Sequence, residues 1–170
     1  MSAACRMLTT PPLCWTHLLA CTSGAGVFAV VFFCSGRLFS WVSPGYRTLG
    51  TNKQTDVRYN AAVGVSSAIV GMLACYVSFF GNLSLDMVSK DIPVVRHTSA
   101  FNLGYLFADL VISVSVPVTG PRTAMTFMGV SHHAITVLGE LMSLVYGIDP
   151  YPVVFHHRMD LTAMPLRLRL

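Results

Sequence analysis

Four ionisable side chains lie in segments that are otherwise strongly apolar. Asp109 ends the stretch GYLFAD, and His132, His133 and Glu140 lie in the stretch SHHAITVLGE. A histidine can exchange a proton near neutral pH, and a neighbouring carboxylate can set its tautomer and orientation. Burying such groups is costly unless they are paired, so these residue types predict an acid–imidazole pair away from water.

The spacing of the polar residues places them on single faces of two helices. In the first segment, four polar residues recur at steps of three, four and four: Asn102, Tyr105, Asp109 and Ser113. In the second segment His133, Thr136 and Glu140 share a face, because a seven-residue step returns to within about 20° of the same direction. His132 lies about 100° from His133 around the helix, although both can face a bundle interior.

The connection between these helices sets their relative depth. Residues 117–121 contain two prolines and a glycine and predict a tight turn. In an antiparallel pair, Asp109 and His133 then lie at similar depths, about 15–18 Å from the turn at about 1.5 Å per residue. We therefore expect Asp109 to contact one of the two histidines. A polar network that only fixes the helix register is the structural alternative.

The composition predicts a membrane protein. Of the 170 residues, 54% are hydrophobic and 11% charged, and this charged share is about half that of soluble domains. The apolar residues form four blocks near the length of roughly 20 residues that crosses a hydrocarbon core: about 13–35, 59–81, 99–118 and 126–147. The predicted fold class is all-α, a polytopic transmembrane helix bundle over residues 13–147. It lies between an N-terminal segment, 1–12, and a C-terminal tail, 148–170.

The first predicted loop carries more positive charge than the second. The run from Leu13 to Cys34 is longer than the roughly 7–15 apolar residues of a signal core, so we expect an uncleaved span. Four basic residues are assigned to the loop that follows it: Arg37, Arg47, Lys53 and Arg58. The next loop holds Lys90 and Arg96, offset by two aspartates. By the positive-inside rule the first loop is cytoplasmic.

Close helix packing is predicted in the second span. Gly64 with Ala68, and Ser67 with Gly71, are small residues four positions apart. Such pairs let helix backbones approach closely in lipid.

Three motifs resemble the TLC domain family of membrane proteins, which includes the ceramide synthase components. His132-His133 followed by Thr136 is similar to the family's HHxxT signature. The stretch GYLFADL, residues 104–110, resembles the preceding GYLxxDL helix, and VSPGY, residues 42–46, resembles the region after the first span. The resemblance covers about residues 30–147.

The sequence also departs from the family pattern. Residues 59–67 lack the arginine and histidine that members carry early in the second span. The family domain continues with further helices, and in ceramide synthases with a histidine and two aspartates, whereas here residues 155–160 read FHHRMD and residues 161–170 are too short and too basic to span. We therefore expect a truncated form of the domain.

The resemblance implies a role in membrane lipid homeostasis, in the endoplasmic reticulum rather than the plasma membrane, with membrane lipids as partners. Five polar residues would line a cavity for a lipid head group: Asn102, Tyr105, Ser113, Thr136 and Glu140. The ceramide synthase relatives imply an alternative, N-acyl transfer from acyl-CoA to a long-chain amine. Its catalytic residues would be His132 and His133, one of them the general base, with Asp109 orienting the imidazole.

Other functional classes lack their motifs. The pairs His132-His133 and His156-His157 match neither HExxH nor the repeated histidine boxes of membrane di-iron enzymes, so no metal site is predicted. No glycine-rich nucleotide motif occurs, and we expect no cofactor. The dispersed lysines and arginines do not predict a nucleic-acid surface. The oligomeric state is left open.

Overall fold

The computed structural model describes residues 15–80, 93–115 and 127–146, excepting the side chains at 113–115, 127–133 and 146. These residues form five helices and no strand: α1, Trp15–Val42; α2, Pro44–Arg47; α3, Thr51–Phe80; α4, Pro93–Ser115; and α5, Phe127–Tyr146. The all-helical prediction is confirmed for this part of the chain. Helices α1 and α3 are long and apolar enough to cross a membrane.

The long helices extend beyond the apolar blocks of the sequence. Arg37 lies in α1, and Lys53 and Arg58 lie in α3, so their assignment to a loop is wrong. Hydropathy marks where an apolar run stops, whereas a helix continues for as long as its backbone hydrogen bonds are made. Of the four basic residues, Arg47 lies in the short helix α2 between the two.

Helix α4 also begins earlier than its apolar block. Its first residue is Pro93, and it includes Arg96, which was assigned to a loop. Proline suits the first helical position, because the N–H it lacks would have no partner within the helix there. Arg96 is therefore part of the helix that carries the predicted site.

Two glycines bring the backbones of α1 and α4 into contact. A Cβ atom added at Gly24 would collide with the carbonyl oxygen of Phe101, and one added at Gly104 would collide with that of Cys21. At Gly64, where close packing was predicted in α3, an added Cβ would have no atom of another described helix within 4 Å. The tightest contact therefore joins α1 to α4, where no small-residue motif was predicted.

The order of contacts shows that α1 and α4 run parallel. The rings of His17 and His97 lie 4.8 Å apart, and further along both helices the rings of Phe28 and Tyr105 lie 5.5 Å apart. Around this second contact, buried residues of α1, α3 and α4 form the apolar core: Phe28, Phe32, Ala62, Val63, Tyr105 and Leu106. Val137 of α5 packs against it. The core therefore lies beside the polar face of α4.

The outer surface of the bundle is more apolar than that of a water-soluble protein. Large apolar side chains point outward on all four long helices, with Phe33, Phe79, Phe107 and Ile135 each at least 66% exposed. Several polar side chains are buried instead: Ser66, Ser67, Thr98, Ser99, Asn102, Asp109, Glu140 and Ser143. Soluble monomers rarely expose apolar surface on this scale.

The glycine contact predicts a specific loss of stability. We expect Gly24→Ala and Gly104→Ala each to lower the free energy of unfolding by about 1–3 kcal/mol, because the added methyl meets backbone that cannot rotate away. The two effects should not add, because either methyl separates the same pair of helices. Unfolding of the purified protein in detergent micelles measures both.

Gly26→Ala is the matched control on the same helix, because a Cβ added at Gly26 has no atom within 4 Å. It should be neutral or gain up to about 1 kcal/mol from helix propensity. Equal effects at Gly24 and Gly26 would contradict the described contact.

Candidate functional site

A buried hydrogen bond joins the two helices that carry the predicted site residues. The side-chain amide of Asn102 on α4 donates to Oε1 of Glu140 on α5 at 2.8 Å. Asn102 is 2% exposed and Glu140 is 3% exposed. An amide donor on a carboxyl oxygen lowers the cost of burying that group. Sequence spacing placed both residues on inward faces, and the structure brings them together.

Arg96 makes a second link between the same helices. Its Nε and a terminal nitrogen, Nη2, donate to the carbonyl oxygen of Leu144 at 3.2 and 2.7 Å. The last four carbonyls of a helix have no partner within it, and a cation is favourable beside them. Arg96 thus caps the C-terminal end of α5, which sequence reasoning missed. Pro93, as a helix-start signal three residues before it, could have indicated a helical position.

These two links define an antiparallel register. From Arg96 to Asn102 the chain advances along α4, while the partner positions move back along α5 from Leu144 to Glu140. Asn102 and Glu140 lie equally far from residue 121, which agrees with the turn centre predicted from the sequence. The predicted turn itself, residues 117–121, lies outside the described residues.

The same register relates the positions of Asp109 and His133, the predicted acid–imidazole pair. Asp109 lies seven residues beyond Asn102 on α4, and His133 lies seven residues before Glu140 on α5. A seven-residue step keeps nearly the same helix face and covers about 10 Å. Asp109 is 3% exposed. Its contact with His132 or His133 stays a prediction, because the side chains of both histidines lie outside the described residues.

The other predicted site residues have different surroundings. Tyr105 is buried and packs against Phe28 in the apolar core, and Thr136 is half-buried. Ser113 lies in α4, with its side chain outside the described part. Leu110, next to Asp109 in the sequence, is exposed.

Ser143 extends the polar face of α5 and was not predicted. It is 2% exposed and lies three residues after Glu140, so Thr136, Glu140 and Ser143 follow steps of four and three. The same periodicity that indicated the first two could have included it. On α4 the buried residues Thr98 and Ser99 likewise continue the polar face toward Arg96.

Asn102 and Glu140 form a buried polar contact between α4 and α5, and α4 buries a second carboxyl group, Asp109, further along. We call Asn102, Asp109, Thr136, Glu140 and Ser143 the polar seam. It can hold a polar head group by hydrogen bonds, and a histidine beside Asp109 would add proton transfer. Among the described side chains no group of three histidine, cysteine, aspartate or glutamate residues could hold a metal ion.

Comparison with family models, curated proteins and solved structures finds no match to this chain.

The interhelical hydrogen bond predicts energetic coupling. We expect Asn102→Ala and Glu140→Ala to be less than additive, with a coupling free energy of about 1 kcal/mol, as for hydrogen bonds between membrane helices. The reason is that either change removes the same bond. A double-mutant cycle on the unfolding free energy in micelles measures it.

The control cycle pairs Asn102→Ala with Ser23→Ala. Ser23 lies on α1 and donates to the Ala20 carbonyl oxygen of its own helix, so these effects should add to within about 0.5 kcal/mol. Additive effects at Asn102 and Glu140 would mean that the bond does not stabilise the bundle.

Proposed function

We propose that this chain is a multi-pass membrane protein of the TLC type that handles membrane lipids in the endoplasmic reticulum. In this proposal the four long helices are four spans, and the polar seam between α4 and α5 receives a lipid head group. The observation that carries it is the buried Asn102–Glu140 hydrogen bond, with Asp109 further along the same face.

The apolar outer surface of the bundle supports the membrane part of this proposal. Outward-facing Phe107 and Ile135 lie on the two helices that hold Asn102 and Glu140 inside. In a bilayer those outer side chains contact acyl chains, and the Asn102 amide and a Glu140 carboxyl oxygen bond to each other inside. The candidate spans α1 and α3 supply the remaining apolar surface.

The free-energy cost of burying carboxyl groups within a membrane supports a role for them beyond helix packing. Ionisable residues within membrane spans are rare, face the bundle interior and mark substrate or ion pathways. Helix register alone could be set by neutral amides and hydroxyls, yet α4 and α5 bury Asp109 and Glu140. The resemblance of GYLFADL and HHxxT to the TLC family supports a lipid as the ligand.

N-acyl transfer is the second candidate function, and the helix register favours it. A histidine general base needs an orienting acid, and equal seven-residue steps from the Asn102–Glu140 bond to Asp109 and to His133 support a contact between those two residues. Purified protein given labelled acyl-CoA and a long-chain amine would then form an amide. No amide product from folded protein would leave the non-enzymatic role.

Charge-removing changes in the seam test the proposed function. We expect Asp109→Asn and Glu140→Gln to return the lipid profile of expressing cells toward that of cells without the protein. Each change keeps the side-chain size but alters hydrogen bonding to a head group. Quantitative lipid mass spectrometry measures the profile, and membrane fractionation checks that the amount of inserted protein is unchanged.

Asp56→Asn is the matched control, the same chemical change near the start of α3 and away from α5. It should leave the lipid profile at the wild-type pattern. Wild-type profiles for Asp109→Asn and Glu140→Gln at equal expression would refute lipid handling by this seam.

A further inference from the structure

A second candidate site lies where α1, α2 and the start of α3 meet. An open cavity of 540 Å³ is lined by Arg37 of α1, Arg47 of α2 and Arg58 of α3. Its described lining includes no carboxylate. We call it the arginine cavity. Three positive charges line one cavity whose described wall has no acidic side chain, and a bound anion would lower their mutual repulsion.

Hydrogen bonds hold the walls of the arginine cavity in place. Arg47 Nε donates to the Ser40 carbonyl oxygen at 2.5 Å and joins α2 to α1. The Tyr46 hydroxyl donates to the Gln54 carbonyl oxygen at 3.3 Å, and the Gln54 side-chain amide donates to the Leu49 carbonyl oxygen at 2.9 Å. These bonds join the α2 segment to α3. The arginines therefore stand on a formed scaffold.

Arg58 retains donors for a ligand. Its guanidinium carbon lies 5.4 Å from the centre of the Phe32 ring, and Nη2 donates to the Thr55 hydroxyl at 3.1 Å. Its Nε is buried and has no acceptor among the described residues. Gly36 makes room for this side chain, because a Cβ there would lie 2.8 Å from Arg58 Cδ. A guanidinium carries five N–H donors, so the side chain is held without using them all.

The chemistry of the cavity fits a phosphate group. The planar fork of an arginine matches two phosphate oxygens at once. A phosphomonoester carries about 1.5 to 2 negative charges at neutral pH and three acceptor oxygens. It therefore offsets three guanidinium groups better than a single carboxylate does.

The position of the cavity along α1 favours a lipid as the source of that phosphate. Trp41 lies on the cavity rim and is 83% exposed, and Trp15, near the other end of α1, is 71% exposed. They are 26 residues apart. At about 1.5 Å per residue this is about 39 Å, close to the about 40–45 Å of a bilayer with its head groups. Exposed tryptophans are typical of that boundary.

We propose that the arginine cavity binds a phosphate-bearing anion presented by a lipid head group at the membrane surface. The site rests on the membrane embedding proposed above, and it is separate from the seam between α4 and α5. Phosphatidic acid is the simplest lipid of this chemistry, because its head group is a bare phosphomonoester. Soluble phosphate esters share the chemistry, so the test includes them.

The emission of Trp41 reports binding. With Trp15→Phe, Trp41 is the single tryptophan of the chain. Phosphatidic acid titrated into the full chain in neutral micelles should change this emission to saturation, whereas phosphatidylcholine should not. Arg37→Gln and Arg58→Gln should each weaken binding by about tenfold, the usual scale for a hydrogen bond to a charged group. Arg37 is exposed, so its replacement carries little risk to folding, which circular dichroism checks.

Lys53→Gln is the matched control, because it removes the same charge on the same side of the bundle but does not line the arginine cavity. It should change the affinity by less than twofold. A loss as large as that of Arg37→Gln would show general surface attraction and would overturn the proposal. So would an equal response to phosphatidylcholine, or saturation by glycerol 3-phosphate or inorganic phosphate at the same concentrations.

The proposals for the polar seam and for the arginine cavity can be refuted independently of each other. Asp109→Asn should leave the Trp41 response intact, because Asp109 does not line the arginine cavity. An arginine-dependent response with an unchanged cellular lipid profile would refute only the seam. A changed profile without a phosphatidic acid response would refute only the cavity.

Discussion

The arrangement of α4 and α5 is constrained by the free-energy cost of burying an amide and a carboxyl group away from water. Asn102 and Glu140 can be buried because they form a hydrogen bond with each other across α4 and α5. This bond requires the two helices to lie in a particular register. The cap of Arg96 on the Leu144 carbonyl oxygen sets the same register one turn or more away. The depth of every other residue on the polar seam, including Asp109, follows from these two contacts.

The polar seam needs close helix packing around it. Gly24 and Gly104 allow α1 to lie directly against the backbone of α4, and the rings of Phe28 and Tyr105 fill the space beyond. Many other large apolar side chains face outward. Van der Waals packing and hydrogen bonds are the forces that associate helices where no water is excluded, so the two kinds of contact are complementary in a bilayer.

Sequence periodicity predicted which face of each helix is buried, but not which other helix packs against that face. Asn102, Asp109 and Glu140 are buried as their spacing indicated, because a repeat near 3.6 is local information. The helix ends at Val42, Thr51 and Pro93 were missed, since hydropathy stops at the first charges. The backbone contact between Gly24 and Phe101 and the hydrogen bonds of Arg96 to the Leu144 carbonyl oxygen join parts of the chain that are distant in the sequence. A local sequence pattern cannot predict such contacts. The predicted turn near residue 121 lies outside the described residues, although Asn102 and Glu140 are equally far from it in the sequence.

Cross-linking tests the register most directly. In a chain whose five cysteines are replaced by alanine, Asp109→Cys is paired with His133→Cys, or with Gly129→Cys or Val137→Cys one turn away on α5. A turn is about 5–6 Å along the helix, enough for a short bifunctional thiol reagent to discriminate. The register predicts the fastest intramolecular product for Asp109 with His133. Faster reaction at either displaced pair would contradict it and would separate Asp109 from the histidines.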